Sequence, residues 1–344
     1  MFNKRPYVVV AAVLLLSCLA PAAQASQAIS PPPPPQVSMQ AGLLMELESG
    51  NVLWAREESS LRAPASLTKV LTALVALENS PLEKTGVISP AARNVPGQRM
   101  FAEEGWTMTV GDMLWGLLLQ SGNDAAISLA ETVSPDGTQA GFMKMANDRA
   151  RELGATDTNF VNPHGMDQPG HQTTARDLAL ITAAALQDPT FKQMVSSKTH
   201  VVPWGDGQKH LFINHNKLLW RYPGAMGVKT GFTRGAGSCL ISAVQRDGHT
   251  LIAVVMGSPN HYAESTALYD WGFGNLASLK TASKYSIRPD LTPASAELTI
   301  DGETSDTGIA SGGVQLRLLI PMLGIVFLGA LAMVRRYSLY FSRT

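Results

Sequence analysis

Three short groups of residues carry side chains that could act together on an acyl group. Ser66 and Lys69 stand three apart in Ser66-Leu67-Thr68-Lys69. On a helix that spacing puts both on one face, one turn apart. A serine hydroxyl is a weak nucleophile until a base takes its proton. A lysine becomes that base once burial or a nearby cation favours its neutral form, and a helix N-terminus favours an oxyanion beside it. In Ser121-Gly122-Asn123, Ser121 could relay a proton to a leaving amine and Asn123 could bond a peptide. In Lys229-Thr230-Gly231, Lys229 could attract a terminal carboxylate and discourage protonation of Lys69. Gly231 would let a ligand approach the backbone closely. Each group alone is a common tripeptide or turn; together they suit nucleophilic attack on a peptide that ends in a carboxylate.

The surrounding pattern has to bring these groups together. Ser66 to Asn79 is apolar apart from its first turn and its end, which predicts a buried helix with Lys69 entering a crowded interior. Val110–Leu119 and Asp124–Val133 read as helices broken at Ser121-Gly122-Asn123. Thr138–Leu153 ends at Gly154, a helix stop signal, and Thr174–Gln187 stops at Asp188-Pro189. Leu43-Leu44-Met45 and Val52-Leu53-Trp54 flank Ser49-Gly50-Asn51 as a hairpin. Met226–Phe232, Gly237–Val244 and His249–Met256 read as strands, the last two joined through Arg246-Asp247-Gly248. Ala263–Phe273 reads as a terminal helix. This is an α+β order, in which the first strands could rejoin the last ones in a single antiparallel sheet. Lys229 then lies on a strand that could bind an extended peptide at a cleft edge.

The three groups follow one another at separations of 55 (121 − 66) and 108 (229 − 121) residues. In that order they resemble the S-x-x-K, S-x-N, K-T-G set of penicillin-binding proteins and serine β-lactamases. Ala65-Ser66-Leu67-Thr68-Lys69, Gln120 to Ala126, Asn162-Pro163-His164-Gly165-Met166-Asp167 and Gly227 to Thr233 narrow the resemblance to low-molecular-mass D-alanyl-D-alanine carboxypeptidases. It covers roughly Gln40 to Phe273, about two-thirds of the chain. The fold it implies is β-lactamase/DD-peptidase-like, an antiparallel sheet flanked by a helical lobe. The activity it implies is removal of the terminal D-alanine from peptidoglycan stem peptides ending in D-Ala-D-Ala. Ser66 would form the acyl-enzyme, Lys69 take its proton, and Ser121 and Asn123 complete the relay and hold substrate. Lys229 and Thr230 would position the carboxylate, and the N–H groups of Ser66 and Phe232 would form the oxyanion hole beside Gly231. β-Lactams would trap Ser66, and no cofactor is implied.

Two features depart from that family. Only a short polar stretch separates the body from the C-terminal apolar segment, where many relatives carry a small β-rich domain. The family arginine after the last strand is absent from Asn260-His261-Tyr262-Ala263-Glu264, which leaves His261, or Lys229 and Thr230 alone, for the carboxylate. Rival activities are a D,D-endopeptidase cutting crosslinks and a non-catalytic penicillin- or peptidoglycan-binding protein. A β-lactamase would need a deacylating glutamate motif between Asn123 and Lys229, and none stands there.

The ends of the chain carry targeting patterns. Lys4, Arg5, an apolar Tyr7–Ala20 and Ala23-Gln24-Ala25 read as a signal peptide over residues 1–25. Pro31–Pro35 mark a stiff spacer over 26–38. The catalytic domain is expected over 39–276, followed by a polar linker over 277–316. Leu318–Val334 is 17 residues without a charge, followed by Arg335, Arg336 and Arg343. That reads as a transmembrane helix over 317–335 with a cytoplasmic tail over 336–344. The body would then face the extracytoplasmic side of the inner membrane. Lys+Arg and Asp+Glu are 27 each, so the charge gives no reason to expect nucleic acid. Cleavage of the signal would leave Cys239 alone, without a disulfide. The seven histidines show no metal spacing.

Overall fold

The computed structural model describes residues 31–291; the signal, transmembrane and tail segments expected from the sequence lie outside them. The strands are β1 (Ala41–Glu46), β2 (Val52–Arg56), β3 (Thr85–Val87), β4 (Thr107–Thr109), β5 (Thr199–Pro203), β6 (Lys209–Ile213), β7 (Ala225–Thr233), β8 (Gly237–Arg246) and β9 (His249–Met256). The helices are α1 (Lys69–Asn79), α2 (Pro90–Arg93), α3 (Val110–Leu119), α4 (Asn123–Val133), α5 (Gln139–Glu152), α6 (Ala175–Ala185), α7 (Pro189–Ser196), α8 (Leu218–Arg221), α9 (His261–Gly274) and α10 (Leu276–Ala282). A 3-10 turn, Ala65–Thr68, precedes α1.

One five-stranded sheet, in the order β2-β1-β9-β8-β7, has antiparallel pairing throughout. The first hairpin does rejoin the last three strands, with Leu43 opposite Val254. The two-residue strand period divides the core. Leu43, Met45, Ile252, Val254 and Met256 face the cluster containing α1 and α6. Leu44, Leu251, Ala253 and Val255 face the cluster containing Leu268 and Tyr269 of α9. Both faces of the sheet are therefore covered, which explains why β1 and β9 read as apolar runs instead of alternating. At the β8–β9 hairpin, Asp247 and Gly248 both take positive φ, 49° and 80°, the conformation that favours an Asp-Gly pair.

The helical lobe follows its sequence signals closely. Thr109 and Thr174 cap α3 and α6 by accepting from Asp112 N and Asp177 N, each at 3.0 Å. Gly154 follows α5 at φ +80°. The helix expected from Ser66 begins instead as the 3-10 turn, and α1 proper starts at Lys69. Asp188-Pro189 ends α6 and also starts α7, with Asp188 accepting from Thr190 N and Phe191 N.

Two boundaries differ from the compositional reading. Residues 276–291 form part of the body: α10 packs there, Ser286 bridges Asn51, and Ile287 is buried and bonded to Gly50. Few apolar residues suffice because backbone pairing to the β1–β2 turn supplies the attachment. The proline spacer is also attached, because Trp271 Nε1 donates to Pro32 O at 3.0 Å and Ser38 bonds Glu264. Among the described residues one histidine–carboxylate cluster, Glu46, Glu48 and His249, has ligand-like spacing. Glu46 there already accepts from Lys280 Nζ at 2.8 Å, so the group acts as a clasp between β1 and α10.

Candidate active site

Ser66 sits on the 3-10 turn at the edge of the sheet, half-buried, one residue after Ala65 at φ +50°. A non-glycine residue there is strained, and its neighbours hold it. Thr68 Oγ1 donates to Ala65 O at 2.9 Å and lies 2.9 Å from His171 Nε2. Val161 N donates to His171 Nδ1 at 3.0 Å, so His171 carries its proton on Nε2 and donates to Thr68. Gly165, at φ +93°, passes so close that a Cβ would lie 1.9 Å from Ala65 O. Only glycine fits between that loop and the Ser66 turn.

Lys69 is fully buried in the first turn of α1. Its Nζ lies 2.9 Å from Ser66 Oγ, 2.8 Å from Asn123 Oδ1 and 2.6 Å from His164 O. Burial, then the charge of Lys229, push its amine well below the usual lysine range, against a smaller opposite pull from Asp124. Burial and the Lys69 charge take the His164 ring down to about 3, so this imidazole is neutral at physiological pH.

The break between α3 and α4 places Ser121 and Asn123 on the same side as Lys69. Ser121 takes φ +58° and is buried, a second non-glycine outlier in the cleft. Its Oγ accepts from Lys229 Nζ at 2.9 Å. Asp124, fully buried, receives Met100 N at 2.9 Å and Phe101 N at 2.8 Å. Those bonds fix the 96–102 loop over the start of α4. Asn123 Nδ2 donates to Pro96 O at 2.7 Å, so both ends of its amide are engaged by the protein.

Lys229 comes from β7, the edge strand. It is 2% exposed, and desolvation lowers its amine to about 7. Its second partner is Thr230 O at 2.8 Å. At Gly231 the strand runs against the Ser66 turn, where a Cβ would be 3.1 Å from Ser66 N and 3.1 Å from Ala65 Cβ. Phe232 follows, 68% exposed. The end of β7 is tied to the Asn162–Asp167 loop by Thr233 Oγ1, which donates to Asp167 at 2.6 Å, and by Gly235 N at 2.9 Å.

Two hydrogen-bonded groups, Ser66–Lys69–Asn123 and Ser121–Lys229, are thus brought together by the Ser121-Gly122-Asn123 break, with the Lys229 charge felt at Lys69 and Thr230, Gly231 and Phe232 following on β7. Sequence reasoning did not anticipate the parts played by the His164 carbonyl, Thr68, His171 or Asp167. The loop text from Asn162 to Asp167 was the available signal, but a backbone carbonyl has no side-chain signature. His261 begins α9, and no hydrogen bond links it to either group.

The chain matches the family model described as D-alanyl-D-alanine carboxypeptidase over residues 26–260. It is 38% identical over 242 residues to D-alanyl-D-alanine carboxypeptidase DacB2 of Mycobacterium tuberculosis, covering 68% of this chain and 82% of that protein. It is 32% identical to DacF of Bacillus subtilis, covering 76% of this chain and 68% of the relative. A solved D-alanyl-D-alanine carboxypeptidase from Mycobacterium tuberculosis superposes with a TM-score of 0.68 at 36% identity, covering 72% of this chain and 95% of that one. The Streptomyces K15 DD-transpeptidase does so at 0.67 and 30% identity, over 71% of this chain and 100% of that one. Sequence match, sheet order and clustered side chains agree: the chain belongs to the D-alanyl-D-alanine carboxypeptidase family of serine peptidases.

Proposed function

We propose that this protein removes the terminal D-alanine from peptidoglycan stem peptides through an acyl-enzyme on Ser66, and that β-lactams acylate the same oxygen. One observation carries the reading. Lys69 Nζ has three partners, and two of them, Asn123 Oδ1 and His164 O, are carbonyl oxygens that can only accept. A neutral amine has two N–H bonds and one lone pair. Giving the N–H bonds to the carbonyls leaves the lone pair for the third partner, the Ser66 hydroxyl. Burial and the charge of Lys229 both favour that neutral form. Lys69 is then the base for Ser66.

Ser121, bonded to Lys229, passes a proton to the departing D-alanine amine. Asn123 fixes Lys69 and, through it, the base's direction. Lys229 and Thr230 hold the substrate carboxylate. The N–H groups of Ser66 and Phe232, on either side of the close approach at Gly231, stabilise the oxyanion. Water then hydrolyses the ester. Release of D-alanine from a pentapeptide ending in D-Ala-D-Ala tests this: the native chain releases it and Ser66→Ala does not. Equal release by both would reject the assignment.

The same reading places the body outside the cytoplasmic membrane. Its support is the N-terminal pattern of Lys4, Arg5 and an apolar stretch, and the uncharged Leu318–Val334 followed by three arginines. A single C-terminal span would hold the cleft near its polymer substrate.

A further inference from the structure

The β5–β6 ribbon turns one face away from the protein. Alternate residues of a strand point to opposite faces. On the inner face Val202 and Phe212 are buried. His200 and His210 stack there on Trp115 and Trp204, with ring centroids 3.6 and 4.6 Å apart. The pairing of Thr199 with Ile213, Val201 with Leu211 and Pro203 with Lys209 gathers these side chains on the outer face. Val201, Leu211 and Ile213 are 49%, 57% and 49% exposed. α8 follows the ribbon, and because Leu218 and Leu219 are buried, Trp220 turns outward at 46% exposure. Trp220 shares a concavity with Ser196 and Lys198, and Asn214 N donates to Lys198 O at 2.8 Å, so the ribbon and α8 are continuous. Four of the ten exposed large apolar side chains among the described residues fall between 201 and 220, which makes a patch and not a scatter.

The border of this patch is basic. From 196 to 221 stand Lys198, Lys209, Lys217 and Arg221 against one acid, Asp206, a net charge of +3 (4 − 1). All four cations are exposed, and none forms an ion pair among the described residues. Protein interfaces are depleted in lysine, so a border with three lysines disfavours a protein partner. Apolar side chains and a tryptophan ringed by Lys and Arg suit a bilayer with anionic headgroups. The indole sits at headgroup level, the apolar residues enter the acyl boundary, and the long cations reach the phosphates. The ribbon also adjoins the cleft. Gln120 Nε2 donates to Ile213 O and His215 N donates to Leu119 O, each at 3.3 Å, just before Ser121.

We propose that the outer face of β5–β6, with Trp220, is a docking surface for anionic phospholipid that holds the Ser121 side of the cleft against a membrane. This contact is separate from the proposed C-terminal span and does not depend on the acyl-transfer reading.

The test uses the full chain and vesicles of phosphatidylcholine, with or without phosphatidylglycerol, that carry brominated phosphatidylcholine as a contact quencher of tryptophan. The difference between native protein and Trp220→Phe isolates Trp220 from the five other tryptophans (6 − 1). Trp220 should be quenched on the phosphatidylglycerol vesicles and not on phosphatidylcholine alone. Each cation near such a surface strengthens the contact about fivefold. The variant Lys198→Gln/Lys209→Gln/Lys217→Gln/Arg221→Gln should therefore abolish the Trp220 difference, while its penicillin acylation stays within about twofold. Salt at about 1 M, which screens beyond about 3 Å, should do the same. Cosedimentation with the vesicles reads the C-terminal span separately and should survive both changes. Protein that detaches when the four cations are removed rejects the span and supports this surface. Native and Trp220→Phe chains quenched alike on phosphatidylglycerol vesicles overturn the proposal, as does equal Trp220 quenching on both kinds of vesicle. Trp220 shielded from acrylamide without lipid, in a chain that sediments as a dimer, overturns it in favour of a second copy.

Discussion

Two buried amines share this cleft, and their protonation states should oppose each other. On the proposed mechanism Lys69 acts when neutral and Lys229 holds a carboxylate when charged. Lys69 is held well below the usual lysine range and Lys229 lies at about 7. Catalysis should rise with pH while Lys69 loses its proton, then fall as pH climbs through about 7 and Lys229 is neutralised, chiefly by a rise in KM. A pH profile of kcat and KM on a pentapeptide checks this, and a KM flat to pH 10 would contradict it. Stability should run the other way on the alkaline side. Between about 7 and the ordinary lysine range the unfolded chain binds the proton that folded Lys229 has released, so folding strengthens as pH rises there. Substituting Lys69→Ala removes the proposed base while leaving a small buried side chain. Acylation by penicillin should slow by about two to four orders of magnitude, with the circular dichroism spectrum unchanged; acylation at the native rate would reject Lys69 as the base.

At the scale of elements, the site depends on loops locked against helix starts. Gly165 cannot gain a Cβ without meeting Ala65 O, and its φ is left-handed. Gly165→Ala should therefore displace the Ser66 turn, lower the Tm and slow acylation together; an unchanged Tm and rate would show that this contact is soft. Asp124 has no such alternative. Asp124→Ala leaves the buried N–H of Met100 without its acceptor, at about 1–3 kcal/mol, and frees the part-buried Phe101 N–H as well; a thermal melt should report the loss. Much of this arrangement was legible beforehand. Threonine caps, the Asp247-Gly248 turn and Gly154 punctuate the chain where the elements end, and the motif serines and lysines have the side chains their chemistry needs. The 3-10 start before Lys69 was not legible, because it follows from tertiary strain at Ala65, and apolar spacing is the same for either helix. The helix α7 was missed because Asp188-Pro189 serves equally to stop one helix and to cap the next.

For the whole molecule, the sheet covered on both faces makes a rigid frame. Its edge strand β7 lies against the helical lobe, and the cleft lies along that seam. The folded body reaches beyond the point where composition turns polar, since residues 276–291 attach through backbone pairing and the buried Leu279 and Ile287. Hydrophobic counting underweights such attachments. The proposed membrane tether belongs to this scale as well. Full-length protein should sediment with membranes and resist salt extraction, whereas a chain ending after residue 291 should be soluble and still bind penicillin. Soluble full-length protein would remove the tether from the account. The central claim, that Ser66 is the acylated oxygen, is tested most directly by intact mass after exposure to a penicillin. The native chain should gain the mass of one penicillin, and Ser66→Ala should gain none; an adduct that persists in Ser66→Ala would contradict the account.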